Sequence, residues 1–404
     1  MKYIVKNNLL IILLISFTLR LAAIIFFRDS QVDNEWGIIL MNLEMNGILS
    51  VHTIQNVPVP NIFMPPLYPL FLYSIKIFFV NTDTFLWAIF LIQLLLGIFT
   101  VYLTHKILLN FFSRRLSILG TLVFAIFPMN VYAVSQISSV TLQVFLFNIF
   151  LYSYFKLFNV LRYKHIILFS ISSGLLILLR GEYFIFAILS VAYLYFKKRQ
   201  LSKILIMSLI TLIVVSPYLY RNYDIFGVIT ITKSSGYNLL KGNHPRTKVE
   251  GVGMFGNIEK VIPEVELKLK NLKSQGPLEK YDLLQDQILM EQAITFIKED
   301  PVRYLSLYFK KFISFMFIDL NASYKNYYSP MHIIPKMLLA ITSFIGIILA
   351  FNLRLSMTNY VILFYFANIG LFSFFFILPR YSLSLLTIQI ILSLFVLKKV
   401  KPNF

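Results

Sequence analysis

About ten apolar runs of membrane-crossing length follow one another along this chain, and they leave room for one kind of architecture. A backbone in hydrocarbon must satisfy its own N–H and C=O groups, so such runs fold as helices. The spans expected are roughly 7–27, 84–105, 115–134, 139–157, 165–180, 182–196, 203–220, 333–351, 357–376 and 382–398. Composition agrees: 58% of residues are hydrophobic, 14% are charged, and mean hydropathy is +0.75. The chain reads as an all-α polytopic membrane protein.

Lys and Arg number 37 against 18 Asp and Glu, a net charge of +19. Nucleic acid is one partner for such a balance. Here much of the basic charge falls in short loops between spans, where the retention of cations on the cytoplasmic side accounts for it, so no nucleic acid is expected. Cysteine is absent, which rules out disulfides, a thiolate nucleophile and Cys-ligated zinc. Lys2 and Lys6 precede the first apolar run, as in a signal peptide. No small-residue cleavage site follows and Arg20 interrupts the run, so a retained helix is expected.

With Lys2 and Lys6 inside, alternation also puts Arg114/Arg115, Arg162/Lys164, Lys197/Lys198/Arg199 with Lys203, Arg354 and Lys398/Lys399/Lys401 inside. This parity requires two further apolar stretches not to cross. One is 66–80, short and opened by Pro65-Pro66. The other is 303–320, amphipathic, with Lys310-Lys311 in mid-run. Both are placed at the outer interface. Extracytoplasmic regions then cover 28–83 and 221–332. The chain divides into an N-terminal transmembrane core, 1–220, a small cap, 221–332, and C-terminal helices, 333–404. Gly236, Gly242, Gly251, Gly253 and Gly256 mark the start of the cap, and a charged helical stretch is expected near 258–300.

Chemistry gathers at the outer face. Asp33 and Glu35 follow the first span and precede an amphipathic stretch, Trp36 to Leu49. Read blandly they are solvated loop acids. Near the lipid boundary, reduced access to water raises proton affinity, which suits a general base that deprotonates an acceptor hydroxyl. Arg380-Tyr381 follows Pro379 at the outer end of a span, and Arg221 directly follows an outward helix. Each arginine is either a snorkelling interfacial cation or a fork onto a phosphate whose charge grows as it leaves. The stretch Ser234 to Asn243, with Gly236, Asn238 and Asn243, matches neither a P-loop nor a dinucleotide fingerprint. It reads as a tightly turned loop that approaches a ligand closely. Arg180-Gly181-Glu182 reads as a local ion pair. The five histidines are scattered, against a His-based metal site.

Taken in order, these residues resemble the GT-C superfamily of membrane glycosyltransferases. The nearest branch is the bacterial one of protein O-mannosyltransferases and lipid A aminoarabinose transferases. Asp33-Asn34-Glu35-Trp36 resembles its acidic first-loop motif, and Met64-Pro65-Pro66-Leu67-Tyr68-Pro69 the stretch that opens an interfacial helix. Leu179 to Glu182, Ser216-Pro217 through Arg221-Asn222-Tyr223 to Phe226-Gly227, Gly236 to Asn243, and Arg380-Tyr381 resemble the later motifs. The resemblance implies a bundle with interfacial helices in the first loop. It also implies transfer of a sugar from a polyprenyl-phosphate carrier, with inversion by direct displacement. Asp33 inherits the role of general base, and Glu35 orients the acceptor or a cation. Arg380, Arg221 and Tyr381 take the carrier phosphate. Gly236, Asn238 and Asn243 form the substrate loop. One departure stands out. In Ser139-Val140-Thr141-Leu142, Val140 occupies the place where many relatives carry glutamate, which leaves fewer acids for a divalent cation.

The expectation is a transferase of the cell membrane, with its active site on the extracytoplasmic side. Its partners are a polyprenyl-phosphate sugar, an envelope lipid, glycan or protein acceptor, and membrane lipids. No metal ligand is assigned. The rivals are a lipid-linked glycan flippase, which calls for charged or broken helices near mid-membrane, a polysaccharide polymerase or ligase, and a non-catalytic scaffold.

Overall fold

The computed structural model describes residues 2–32, 34–249, 262–319, 329–351 and 356–400. Asp33, Gly251, Gly253, Gly256, Arg354 and Lys401 lie outside them. Helices occupy each expected span: α1 (Lys2–Phe27), α4 (Thr82–Leu108), α5 (Arg114–Ile126), α7 (Val140–Asn159), α8 (Tyr163–Leu179), α9 (Tyr183–Lys198), α10 (Leu201–Phe226), α15 (Pro330–Phe351), α16 (Ser356–Ser373) and α17 (Leu386–Val400). Among the described residues, six stretches are long and apolar enough to cross a bilayer, or up to seven if one bent pair is a single span. The remainder are shorter or more polar.

That bent pair corrects the expected continuous span 115–134. α5 ends at Ile126, and after Phe127 the chain resumes as α6 (Pro128–Tyr132) and a 3-10 turn to Ser135, bent by 56°. Pro128 has no N–H to continue the helix, which frees the carbonyls of the preceding turn. Asn130 Nδ2 donates to the Phe124 carbonyl at 3.4 Å, and Arg20 Nη1 of α1 donates to the Ala125 carbonyl at 2.9 Å. Arg20 is fully buried, and a Cβ at Gly97 of α4 would lie 2.7 Å from its Nε, so that glycine makes room for the guanidinium. The charge that interrupts the first apolar run thus braces a broken helix.

α7 is central, packed against α4, α8 and a 3-10 turn at Pro379–Leu385 that leads into α17. Asn148 Oδ1 accepts from Thr104 Oγ1 of α4 (3.2 Å) and Thr387 Oγ1 of α17 (2.7 Å), pinning three helices through one buried amide. Interhelical bonds of this kind contribute about 0.6 kcal/mol each in a membrane. α10 instead exposes Leu201, Leu205, Leu209, Leu212 and Ile213, a face suited to acyl chains.

Between α1 and α4 run α2 (Asn34–Asn46), a hairpin of β1 (His52–Ile54) and β2 (Val57–Val59), and α3 (Leu67–Lys76). The antiparallel hairpin turns through Gln55 and Asn56, both at positive φ, as a type I′ turn requires. α3 has ten residues, about 15 Å, too short to cross. The 221–332 stretch holds α11 (Ser235–Asn243), α12 (Pro263–Gln275), α13 (Tyr281–Glu299) and α14 (Pro301–Met316). Leu240, Val265, Leu269, Leu289 and Ala293 form a small core among the first three of these, and α14 packs on α16.

Candidate functional site

A cavity of about 190 Å³ lies where α1, the broken segment and the Pro379–Leu385 turn meet. Asp29, Gln31, Tyr132, Gln136, Val140 and Arg380 contribute to its wall. The wall is held from several sides. Asp29 Oδ2 accepts from the Ile137 N–H at 2.6 Å, and the Asp29 N–H donates to the Ser135 carbonyl at 3.1 Å. Gln136 Nε2 donates to the Phe27 carbonyl, while Gln93 Nε2 of α4 reaches the carbonyls of Val134 and Gln136. An acid just after the first helix and an arginine near the last thus share one pocket. Val140, which replaces the expected glutamate, lines that same pocket with an apolar side chain.

Asp33 lies outside the described residues. Glu35 is half-buried in the first turn of α2, where the helix dipole favours a carboxylate. Trp36 meets Tyr68 of α3 edge to face at 4.9 Å, so the acidic motif and the Pro-Pro-Leu-Tyr-Pro motif brace each other. Burial, with the Asp29 charge added, pushes the Tyr68 phenol well above its ordinary pKa.

Lys241 of α11, which the sequence reading missed, falls within electrostatic reach of both Arg380 and Glu35. Burial and the Arg380 charge lower its pKa, and Glu35 opposes them. Its ammonium lies over the Phe376 ring at 4.5 Å and the Tyr237 ring at 5.4 Å. Two cations that each feel the other's charge form a place where an anion relieves repulsion.

The remaining expected site residues are engaged with the protein. Tyr381 packs against the Arg180 guanidinium, 4.7 Å from its ring centroid. Arg180 Nε pairs with Glu182 at 3.3 Å, the local pair expected, and its Nη1 donates to Gln143 Oε1. Arg221 Nη1 donates to the Asn61 carbonyl at 2.6 Å and to Asn222 Oδ1 at 2.8 Å, which ties α10 to the loop before α3. Arg221 is not among the residues that line the pocket with Arg380.

Within the stretch Ser234 to Asn243, Ser235–Asn243 is helix rather than the expected turned loop. Its glycines serve close packing: a Cβ on Gly236 would collide with the main chain of α13 at Asp286, and one on Gly242 with the main chain at Phe375 and Phe376. Asp286 Oδ1 accepts from the Gly236 N–H at 2.6 Å and anchors the N-terminus of α11. The Asn238 carbonyl accepts from the Phe376 N–H, and Asn243 Nδ2 donates to the Phe374 carbonyl at 2.8 Å. Lys311 Nζ, fully buried, donates to the Gly242 carbonyl at 2.6 Å and to Asn243 Oδ1 at 3.3 Å. Gly236, Asn238 and Asn243 thus fix α11 against α13 and the 374–376 segment, the platform that carries Lys241.

A second acid of α13 was also missed. Asp282, four residues before Asp286, accepts from His52 Nδ1 (2.7 Å), the Ile62 N–H (3.0 Å) and the Phe63 N–H (3.2 Å). One face of α13 therefore latches both α11 and the first loop. No group of three or more His, Asp or Glu side chains among the described residues could hold a metal ion.

No family model and no curated protein matches the chain. Solved structures do. The oligosaccharyltransferase of Archaeoglobus fulgidus, tethered to an acceptor peptide containing the NVT sequon, matches with TM-score 0.61 at 13% identity, covering 100% of this chain and 50% of that one. The same enzyme with an inhibitory peptide and a dolichol-phosphate gives 0.58 at 14%, covering 100% and 51%. With Zn and sulfate it gives 0.57 at 14%, covering 98% and 49%. The chain shares the fold of the matched part of these structures. It spans about half the length of these structures, and at such identity the likeness is one of fold alone.

Proposed function

We propose that this chain is a membrane glycosyltransferase. It moves a sugar from a polyprenyl-phosphate-linked donor to a lipid, glycan or protein acceptor on the extracytoplasmic side, by inverting direct displacement. The observation that carries the reading is the pocket that joins Asp29 to Arg380, with Lys241 in electrostatic reach of Arg380 and Glu35. Carboxylates and cations gathered at one end of an apolar bundle suit a headgroup reaction at a membrane surface. Arg380 and Lys241 take the carrier phosphate and offset its growing charge as the glycosidic bond breaks. Asp33 removes the acceptor proton, and Glu35 orients the acceptor. Arg221 and Tyr381 act behind this set, the first by fixing the loop before α3 and the second by packing on Arg180. Support also comes from the fold shared with an oligosaccharyltransferase solved with a dolichol-phosphate.

A flippase for lipid-linked glycans is the second reading, favoured by the broken α5–α6 pair and by the buried Arg20. Proteoliposomes loaded with radiolabelled polyprenyl-phosphate sugars and an envelope extract separate the two. Label that moves covalently onto an acceptor supports the transferase. Label that only changes leaflet, with the donor intact, sinks it.

A further inference from the structure

A second cavity, about 380 Å³, lies away from Arg380 against α14. It is lined by Thr247, Lys248, Val249, Arg303, Ser306, Leu307, Lys310 and Asp319. Three cations face one carboxylate there. Arg303 is fixed in place by the carbonyls of His244 and Pro245, whereas Lys248 and Lys310 are exposed. The potential at this spot is positive enough to be felt nearby: burial, then the charges of Arg246 and Arg303, lower the pKa of His244.

The helix that builds this cavity has two further faces. Tyr304, Leu307, Lys311 and Phe315 turn inward. Val302, Leu305, Phe309 and Ile313 turn outward, 77%, 59%, 55% and 60% exposed, at the spacing of a single helical stripe. In a chain that spans a bilayer, such a stripe lies among acyl chains. Arg303, Ser306 and Lys310 lie on the flank beside it, so a headgroup they hold leaves its acyl chains next to the stripe.

We propose that this cavity binds the phosphate of an anionic membrane phospholipid, whose acyl chains run along the Val302–Ile313 stripe while Lys248, Arg303 and Lys310 hold its headgroup. The site is separate from the Arg380 pocket and does not depend on the transferase reading. Its chemistry is charge complementarity together with apolar continuity, which a free phosphate would not use.

The native chain has no cysteine, so Ile313→Cys places one fluorescent label beside the cavity. The labelled protein is reconstituted into phosphatidylcholine nanodiscs that contain nitroxide-labelled phosphatidylglycerol or nitroxide-labelled phosphatidylcholine. Phosphatidylglycerol is expected to half-quench at a markedly lower mole fraction than phosphatidylcholine. Adding Lys248→Ala and Lys310→Ala should shrink that preference by roughly 25-fold, about fivefold for each cation lost near the surface. Both side chains are exposed, so the variant should elute as the parent does. Equal quenching by the two lipids overturns the proposal, as does a preference that the double variant leaves unchanged. Displacement of phosphatidylglycerol by an equal mole fraction of polyprenyl phosphate overturns it too, and assigns the cavity to the carrier.

Discussion

Removing the Asp282 carboxylate should release the first loop from α13 while leaving the membrane bundle intact. The carboxylate is 1% exposed and accepts three hydrogen bonds. In Asp282→Ala the Ile62 N–H, on a residue 0% exposed, keeps no acceptor and no route to water, a cost of about 1–3 kcal/mol. Phe63 is half-exposed, so its N–H recovers part of its loss from solvent. His52, with a side chain 30% exposed, does the same. Bonds to a charged acceptor contribute about 1.5–3 kcal/mol each, so a total near 4 kcal/mol follows after these recoveries. Asp282→Asn keeps one oxygen for the two backbone donors and should cost only about 1 kcal/mol. Hydrogen exchange read on the peptide that contains Ile62 and Phe63 checks this. The alanine variant should exchange about a thousandfold faster than wild type, at about 1.4 kcal/mol per tenfold, and the asparagine variant about fivefold faster. Equal acceleration by the two substitutions, or none by alanine, would refute the latch.

Three further outcomes follow from the same geometry. Burial depresses Lys311 from 10.5 to about 7, so the unfolded chain binds more protons than the folded one between those values. Stability should therefore rise from pH 7 toward 10.5 and lose this contribution to its slope in Lys311→Met, as read by thermal melting at pH 7 and pH 9.5. Lys241→Met and Arg380→Met should each weaken donor use by about tenfold to a hundredfold, the loss expected for one charge-assisted phosphate contact, measured as kcat/KM for the donor. Gly242→Ala forces α11 away from Phe375 and Phe376, costing about 1–3 kcal/mol, and should raise the donor KM because Lys241 moves with the helix.

The bundle was legible because hydrocarbon imposes one rule on every span, and the helices at the ten expected positions follow from it. Parity of the positive loops likewise singled out 66–80, where α3 is too short to cross. What failed was local. Glycines at 236 and 242 look the same in a turned loop and in a helix pressed against its neighbours, and only the partner surface tells them apart. Asp282 and Asp286 stand four apart on a charged helix, the pattern of a solvated face, yet their partners come from residues 52–63 and 236–237. Lys310 and Lys311 are adjacent in sequence, one exposed and one buried. Pro128 was a readable signal for the break in the third span, and Arg20 for a partner inside the bundle. Lys241 carried no motif, and its electrostatic reach to Arg380 depends on how α11 docks.

The central claim is donor-dependent sugar transfer with Asp33 as the base. Wild type and Asp33→Asn, purified in lipid, should be run side by side with a panel of radiolabelled polyprenyl-phosphate sugars and an envelope extract. The account predicts label on an acceptor with wild type for one donor, and its loss in Asp33→Asn while donor binding persists. Transfer that survives the substitution, or no transfer from any donor, would contradict it.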